Sequence, residues 1–461
     1  MTRTRIAVGA VALVLVLAVV LLALATGDRV PQEGTTASST AASAPAPETL
    51  PAAATYEGFL YGRIVTVEGS IYEGRLRFGG IQEAFWGDYF NGTNDENPWV
   101  EEAPRDRLRE VREPIRIFGI RIGQRETVDR ERFFMARFGD LARIELRGIR
   151  DVQVTLKSGT VFHLDRFDAG DFDDDLRVWD TKRGEVDLES LRIRTIELLP
   201  NPLPGAAPYR LHGTVRTRQG EFTGFVQWDR EECVGTDLLN GYTAEGELAL
   251  RFDTIRSIAR GPDGGTEVTL LDGREIVLSG RQAWRYTSDV GDGNRGIYVD
   301  DRRYGRVLVS WDAFERVDFS PGGSGPAYDD FPPGRPLTGS VTTRSGQRFA
   351  GRLVYDLDES ETTETLDAPF LGVDYTIPFG LVASIAIPAG EPRDGERERA
   401  SVRLHNGEEL QLGRAGDLGE QNAGMLIFVE GQERPEYVRW IDVARVEFER
   451  PPAMYPPPGD R

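Results

Sequence analysis

Three stretches of this 461-residue chain open alike: Leu60-Tyr-Gly-Arg-Ile-Val-Thr66, Leu211-His-Gly-Thr-Val-Arg-Thr217 and Leu337-Thr-Gly-Ser-Val-Thr-Thr343. A chain that repeats a segment builds the same supersecondary unit each time, so the architecture is constrained before any single residue is read. A second echo follows each opening: Ala136-Arg-Phe-Gly-Asp-Leu-Ala-Arg-Ile144, Leu250-Arg-Phe-Asp-Thr-Ile-Arg-Ser-Ile258 and Ile377-Pro-Phe-Gly-Leu-Val-Ala-Ser-Ile385. A hairpin follows in every copy. Val154, Leu156, Phe162 and Leu164 alternate with polar residues around Gly159, as do Val268 to Leu278 around Gly273 and Val402 to Leu412 around Gly407. Alternation with period two and a glycine at the turn is the pattern of half-buried antiparallel strands.

Copies 2 and 3 end on matching strands, Val309–Phe319 and Val438–Phe448, each with a Trp at the same place (Trp311, Trp440). Copy 1 lacks an evident counterpart and reads as degenerate there. Each copy thus divides into two halves built on one plan. The expected fold is all-β: three tandem copies, each a pair of small antiparallel barrel units, with a six-bladed propeller as the alternative. Copy 1 occupies 56–199, copy 2 208–320 and copy 3 335–449. Copy 1 is enlarged by an insertion near 101–132, where Arg105–Glu113 reads as a short charged helix ahead of Pro114. Pro200–Gly205 and Ser320–Pro326 carry the turn chemistry of linkers between separate modules.

The motif V-x-T-x-x-G-x-x-x-x-G-x-L, as in Val341–Leu353, followed by I-P-F-x-x-[IV]-x-S-I, as in Ile377–Ile385, resembles the small β-barrels of the Sm-like and SH3-like type. It is closest to their tandem repeats in exported bacterial proteins. In Sm-like proteins an Asp/Asn pair after the first hairpin and a later Arg-Gly contact RNA. Here Arg147-Gly148 and Arg260-Gly261 match, but copy 3 has Ala389-Gly390, and no Asp/Asn pair follows Leu76 or Leu353. The formal charge of −20 points the same way, because phosphate binding relies on clustered Lys and Arg.

Arg3 and Arg5 precede an uncharged apolar run, Ile6–Ala25, that ends in Ala23-Leu24-Ala25. Residues 1–25 therefore read as a signal peptide cut near Ala25 or an uncleaved signal anchor. Residues 26–55 are an Ala/Ser/Thr/Pro spacer, and 450–461 form a Pro-rich tail. The expected location is the bacterial periplasm or cell envelope, with membrane contact through the N-terminal segment alone. All but two of the 55 basic residues are Arg, which reads as the coding bias of a GC-rich genome.

Material for catalysis is thin. His163, His212 and His405 do not recur between copies and lack metal-ligand spacing. Cys233, the sole cysteine, sits beside Glu231 and Glu232, which would raise its pKa. The expectation is a protein that is not an enzyme but a binding or scaffold component whose partner is an envelope protein or polysaccharide. A Ca²⁺-dependent adhesion or carbohydrate-binding module is the alternative, and a hydrolase comes third.

The calcium reading rests on an acidic loop of the form D-x-G-[DE]-x-[DN] in each copy. Its candidate ligands are Asp168, Asp171 and Asp173, then Asp289, Asp292 and Asn294, then Asp417, Glu420 and Asn422. Closely spaced oxygens around a glycine are what Ca²⁺ asks of a single loop. The same residues also build Asx turns. Two further segments stand out. Trp228–Asp237 in copy 2 reads as a strand end with its Trp in the core, or as a recognition edge. Phe85, Trp86, Tyr89 and Phe90 in copy 1 either cap that unit or form an exposed aromatic patch.

Overall fold

The computed structural model describes residues 55–452, apart from 95–96, 106–107, 109, 118–119, 129–131, 149, 167–174, 262–263, 281–287 and 389–398. The signal segment and nearly all of the spacer lie outside the described residues. Those residues are all-β, with three antiparallel sheets of ten, ten and eight strands, two separate two-stranded hairpins and only short 3-10 turns.

Each copy is one interleaved unit, not a pair of barrels. In copy 2 the closing strand Phe314–Phe319 lies between the opening strand His212–Thr217 and the strand Ile255–Arg260 that ends the first half. The two halves therefore share one sheet. Among the described residues each sheet runs from edge to edge without closing, so neither barrels nor propeller blades form.

The interleaving is held by a ladder of β-branched residues that repeats three times. Val215, Val317, Ile258 and Val268 lie side by side across four strands of copy 2. Ile64, Ile196, Ile144 and Val154 do so in copy 1, and Val341, Val446, Ile385 and Val402 in copy 3. All twelve are buried, each contributing roughly 1.5–3 kcal/mol of apolar transfer. Copy 1 thus has its closing strand, Ile193–Leu198. It was obscured because the turn before it is Ser190–Arg192, without the Trp that marks the place in the other copies.

The opening motif has a physical cause. Its two glycines face each other across the first hairpin: Gly62 and Gly74, Gly213 and Gly224, Gly339 and Gly351. A Cβ on Gly74, Gly224 or Gly351 would lie 1.9–2.1 Å from a carbonyl oxygen of the next strand. Only glycine permits that approach.

The insertion of copy 1 holds a hairpin, Glu110–Ile117 with Ile120–Val128, where a helix was expected. Its β-branched residues favour strand, and Pro114 is tolerated in a ribbon this narrow.

The described residues form one compact unit, so the linkers do not separate modules. Strand Val373–Pro378 of copy 3 pairs with Gly305–Val309 of copy 2 and extends its sheet. Between copies 1 and 2, buried Arg306 reaches Asp300 (3.1 Å) and Asp88 (3.5 Å). The second linker folds back on copy 1: Tyr328 and Phe331 join its core, and Lys157 Nζ donates to both their carbonyls. Burial lowers the Lys157 pKa to about 8. Copy 1 also reaches copy 3, where Trp99 packs edge-on against Phe428, 6.0 Å between ring centres.

Candidate functional site

In copies 2 and 3 the acidic loop is a clasp. In copy 2, Asp289 Oδ2 accepts hydrogen bonds from the Asn240 backbone (2.6 Å) and side-chain amide (2.9 Å). The Asp289 carbonyl accepts from Asn294 Nδ2 and Trp228 Nε1, and Asn294 Oδ1 accepts from Gly296 N. Copy 3 repeats the plan: Asp417 Oδ2 accepts from Asp367 N, the Asp417 carbonyl from Asn422 Nδ2 and Tyr355 Oη, and Asn422 Oδ1 from Gly424 N. These oxygens close the loop onto its neighbours, as in an Asx turn. Asp292 and Glu420 are exposed. Among the described residues no three His, Cys, Asp or Glu side chains converge as ligands of a cation. Asp168, Asp171 and Asp173 lie outside the described residues.

A second repeated device went unread in the sequence. After the second strand of each copy the chain makes a tight turn at Phe78–Gln82, Trp228–Glu232 and Tyr355–Glu359. Two residues of each turn have positive φ: Gly79 and Gly80, then Asp229 and Arg230, then Asp356 and Leu357. Non-glycine residues bear that conformation only where the surroundings fix it. Asp229 does so by accepting from the Arg295 amide and guanidinium, and Asp356 by accepting from the Ala423 amide. A carboxylate then caps the next bend by accepting from two backbone amides: Asp88 in copy 1, Asp237 in copy 2, Glu364 in copy 3. The signal for this device is an acid nine or ten residues after the aromatic.

The Trp228–Asp237 segment is therefore one of three equivalents, with Trp228 fully buried. Phe85, Trp86, Tyr89 and Phe90 are also buried, at the junction of copy 1 with copy 2 and the linker, so no aromatic patch is exposed there. Trp311 and Trp440 are core residues. Cys233 is buried beside Glu83, and burial first, then that carboxylate, raises its pKa well above the ordinary thiol value. His163 faces Asp151 at 3.1 Å, His212 faces Ser320, and burial lowers the pKa of His212 and His405.

The most concentrated chemistry lies where copy 1 meets copy 3. An inner cleft of about 120 Å³ is floored by Asp356, Asp358, Glu359, Glu364, Asp367 and Asp417 of copy 3 and walled by Phe133, Phe134 and Phe162 of copy 1. Across Arg132 and Phe162 it adjoins an outer cleft of about 420 Å³, lined by Asn94, Asn97, Trp99, Thr160, His163 and Ser360 among others. The two copies are fastened around it: Asn97 Nδ2 donates to the Leu357 carbonyl (2.8 Å), Arg132 to Asp358 Oδ1 (2.7 Å), and Thr160 to Glu361.

Six carboxylates line the inner cleft, and all six have raised pKa values. Burial is the first cause in each, and it lifts Asp356 and Glu364 to about 7 and Asp367 to about 6. Asp358, Glu359 and Asp417 move the same way, the last two pushed further by neighbouring acids. Sequence reading missed this site because its halves lie more than two hundred residues apart. The available signal was the acid-rich run Asp356–Asp367.

No family model, curated protein or solved structure matches the chain. Among the described residues no helix is long and apolar enough to cross a membrane; the segment Ile6–Ala25 lies outside them.

Proposed function

We propose that this chain is a non-catalytic binding or scaffold protein of the bacterial cell envelope, with its partner site in the cleft between copies 1 and 3. The observation that carries this reading is the cleft itself. It is a concave site between two repeats, with aromatic walls and a floor of carboxylates, and concave sites of this kind are where ligands bind. Phe133 presents a large apolar side chain, 63% exposed, at its wall. Binding is favoured over catalysis because Cys233 is held as a thiol and the acidic loops serve as clasps. In this reading Met1–Ala25 exports the chain, and residues 26–55 hold the folded repeats away from the membrane.

Site-specific photo-crosslinking in the native envelope tests the proposal. A photoreactive residue at position 133 should capture a discrete partner. One at Val277, equally exposed on an edge strand of copy 2, should not. Capture at 277 alone, or at neither position, would refute the assignment of the cleft as the partner site.

A further inference from the structure

We infer that the outer tip of copy 1 is a membrane-contact surface that rests on the lipid bilayer, a second contact beside that of the N-terminal segment. It lies apart from the cleft, and it rests on the reading of Ile6–Ala25 as a signal anchor.

Three turns meet at this tip. The first hairpin of copy 1, Tyr61–Thr66 with Ile71–Phe78, carries Val67 in its turn. The Val67 amide donates to the Arg192 carbonyl at 2.8 Å, which brings in the 3-10 turn Ser190–Arg192. Arg183, from the turn between strands Leu176–Asp180 and Gly184–Leu188, donates to the Ile71 carbonyl at 2.7 Å. Val67, Ile71 and Leu191 are 52%, 54% and 66% exposed. Of the nine large apolar side chains exposed among the described residues, three are therefore gathered on adjoining turns. A single exposed aliphatic is ordinary, but a cluster marks a contact surface.

The repeat shows that the fold does not call for these side chains. Strand pairing aligns Val67 with Arg218 and Arg344, Ile71 with Glu221 and Arg348, and Leu191 with Asp312 and Ile441. Copy 2 builds the same three turns with a charged residue at every one of those places.

A bilayer suits the patch for two reasons. The first is position. Copy 1 is the repeat that the spacer joins, and a polar chain of thirty residues, 26–55, spans on the order of 30 Å. The tip lies one six-residue strand, about 20 Å, beyond the start of copy 1, so it is within that reach. The spacer sets how far the repeats stand off, and the tip is the face that returns. The second is charge. Lys182 is exposed at the tip, and Arg183 and Arg192 are half exposed there. Such side chains lay their stems along apolar surface and keep their heads among phosphates. The acids beside them are Asp180, buried and 3.6 Å from Arg183, Glu68, 3.5 Å from Arg192, and exposed Glu189. Three cations against three acids leave the tip without the excess negative charge of the chain.

The test uses the full chain reconstituted into phosphatidylethanolamine vesicles with about a quarter anionic phosphatidylglycerol. Val67→Cys and Arg218→Cys each receive an environment-sensitive fluorophore, Cys233 being buried. Brominated lipid should quench the label at 67 about twofold more than the label at 218, its equivalent in copy 2. Ile71→Glu with Leu191→Asp gives copy 1 the residues that copy 2 carries, and should abolish the difference. Equal quenching at 67 and 218, or a difference that survives the double substitution, would overturn the inference. If the chain does not float with the vesicles, the anchor and the tip fall together; if it floats and the two labels quench alike, the tip alone falls.

Discussion

Replacing Glu232 by Gln should stabilise the protein, and more so as the pH rises. Glu232 is 9% exposed, its Oε2 is buried without a hydrogen-bond partner, and Asp289, Asp229 and Glu231 surround it. Burial first, and then Asp289, push its pKa to about 9, against 4.5 for an ordinary Glu. The repeat offers an independent check. The same turn position in copy 1 is Gln82, whose amide donates to the Tyr89 carbonyl at 3.0 Å, so the site is shaped for a neutral side chain. The folded state keeps a proton that the unfolded chain releases near pH 4.5. The stability that proton carries is complete below pH 4.5 and is lost as pH climbs towards 9. At ~1.4 kcal/mol per pH unit, the loss is about 3 kcal/mol by pH 7 and about 6 by pH 9. Gln does not ionise, so Glu232→Gln should gain about 3 kcal/mol at pH 7 and nothing at pH 4. Urea unfolding followed by tryptophan fluorescence at pH 4.5, 7 and 8.5 measures this. A midpoint shift independent of pH, or a loss of stability at pH 8.5, would refute the reasoning.

Two further outcomes follow from the geometry. Gly224→Ala places a Cβ 2.1 Å from the Asp300 carbonyl oxygen, so it should cost about 3 kcal/mol and lower the melting temperature. Arg306→Ala strands two buried carboxylates, Asp300 and Asp88, and should cost about 3–5 kcal/mol in urea unfolding, a penalty that shrinks at acid pH as Asp300, whose pKa burial raises, protonates.

Strand content, turn positions and core residues were legible in the sequence because they depend on local alternation. Val154, Leu156, Phe162 and Leu164 alternate and are buried, and Trp311 and Trp440, which recur, are core. The strand order was not legible. The halves of a copy look alike, which suggests two barrels, but Val317 lies between Val215 and Ile258, one from each end of the first half. Nothing in a strand's own sequence names its neighbour. The linkers misled for a related reason: the turn chemistry of Ser320–Pro326 is real, yet a few residues later Tyr328 and Phe331 are anchored in the core of copy 1.

The cleft was hidden by the repeat itself, since what copies share is visible and what separates them decides the site. Asn240 in copy 2 and Asp367 in copy 3 hold the same place in the same clasp, each giving its backbone amide to an acid, Asp289 or Asp417, at 2.6 Å. In copy 2 the side-chain amide of Asn240 donates as well, and that second hydrogen bond opposes the rise that burial gives the pKa of the acid. In copy 3 Asp367 has no N–H on its side chain to donate, so two carboxylates confront each other and, after burial, Asp367 raises the pKa of Asp417 further. The clasp does not require this charge, because copy 2 closes with an amide. Of the acids that floor the cleft, Asp356, Glu364 and Asp417 serve the turn, the cap and the clasp, so the charge surplus to the fold is that of Asp367. Buried like charges that a neutral residue could replace are a cost to folding.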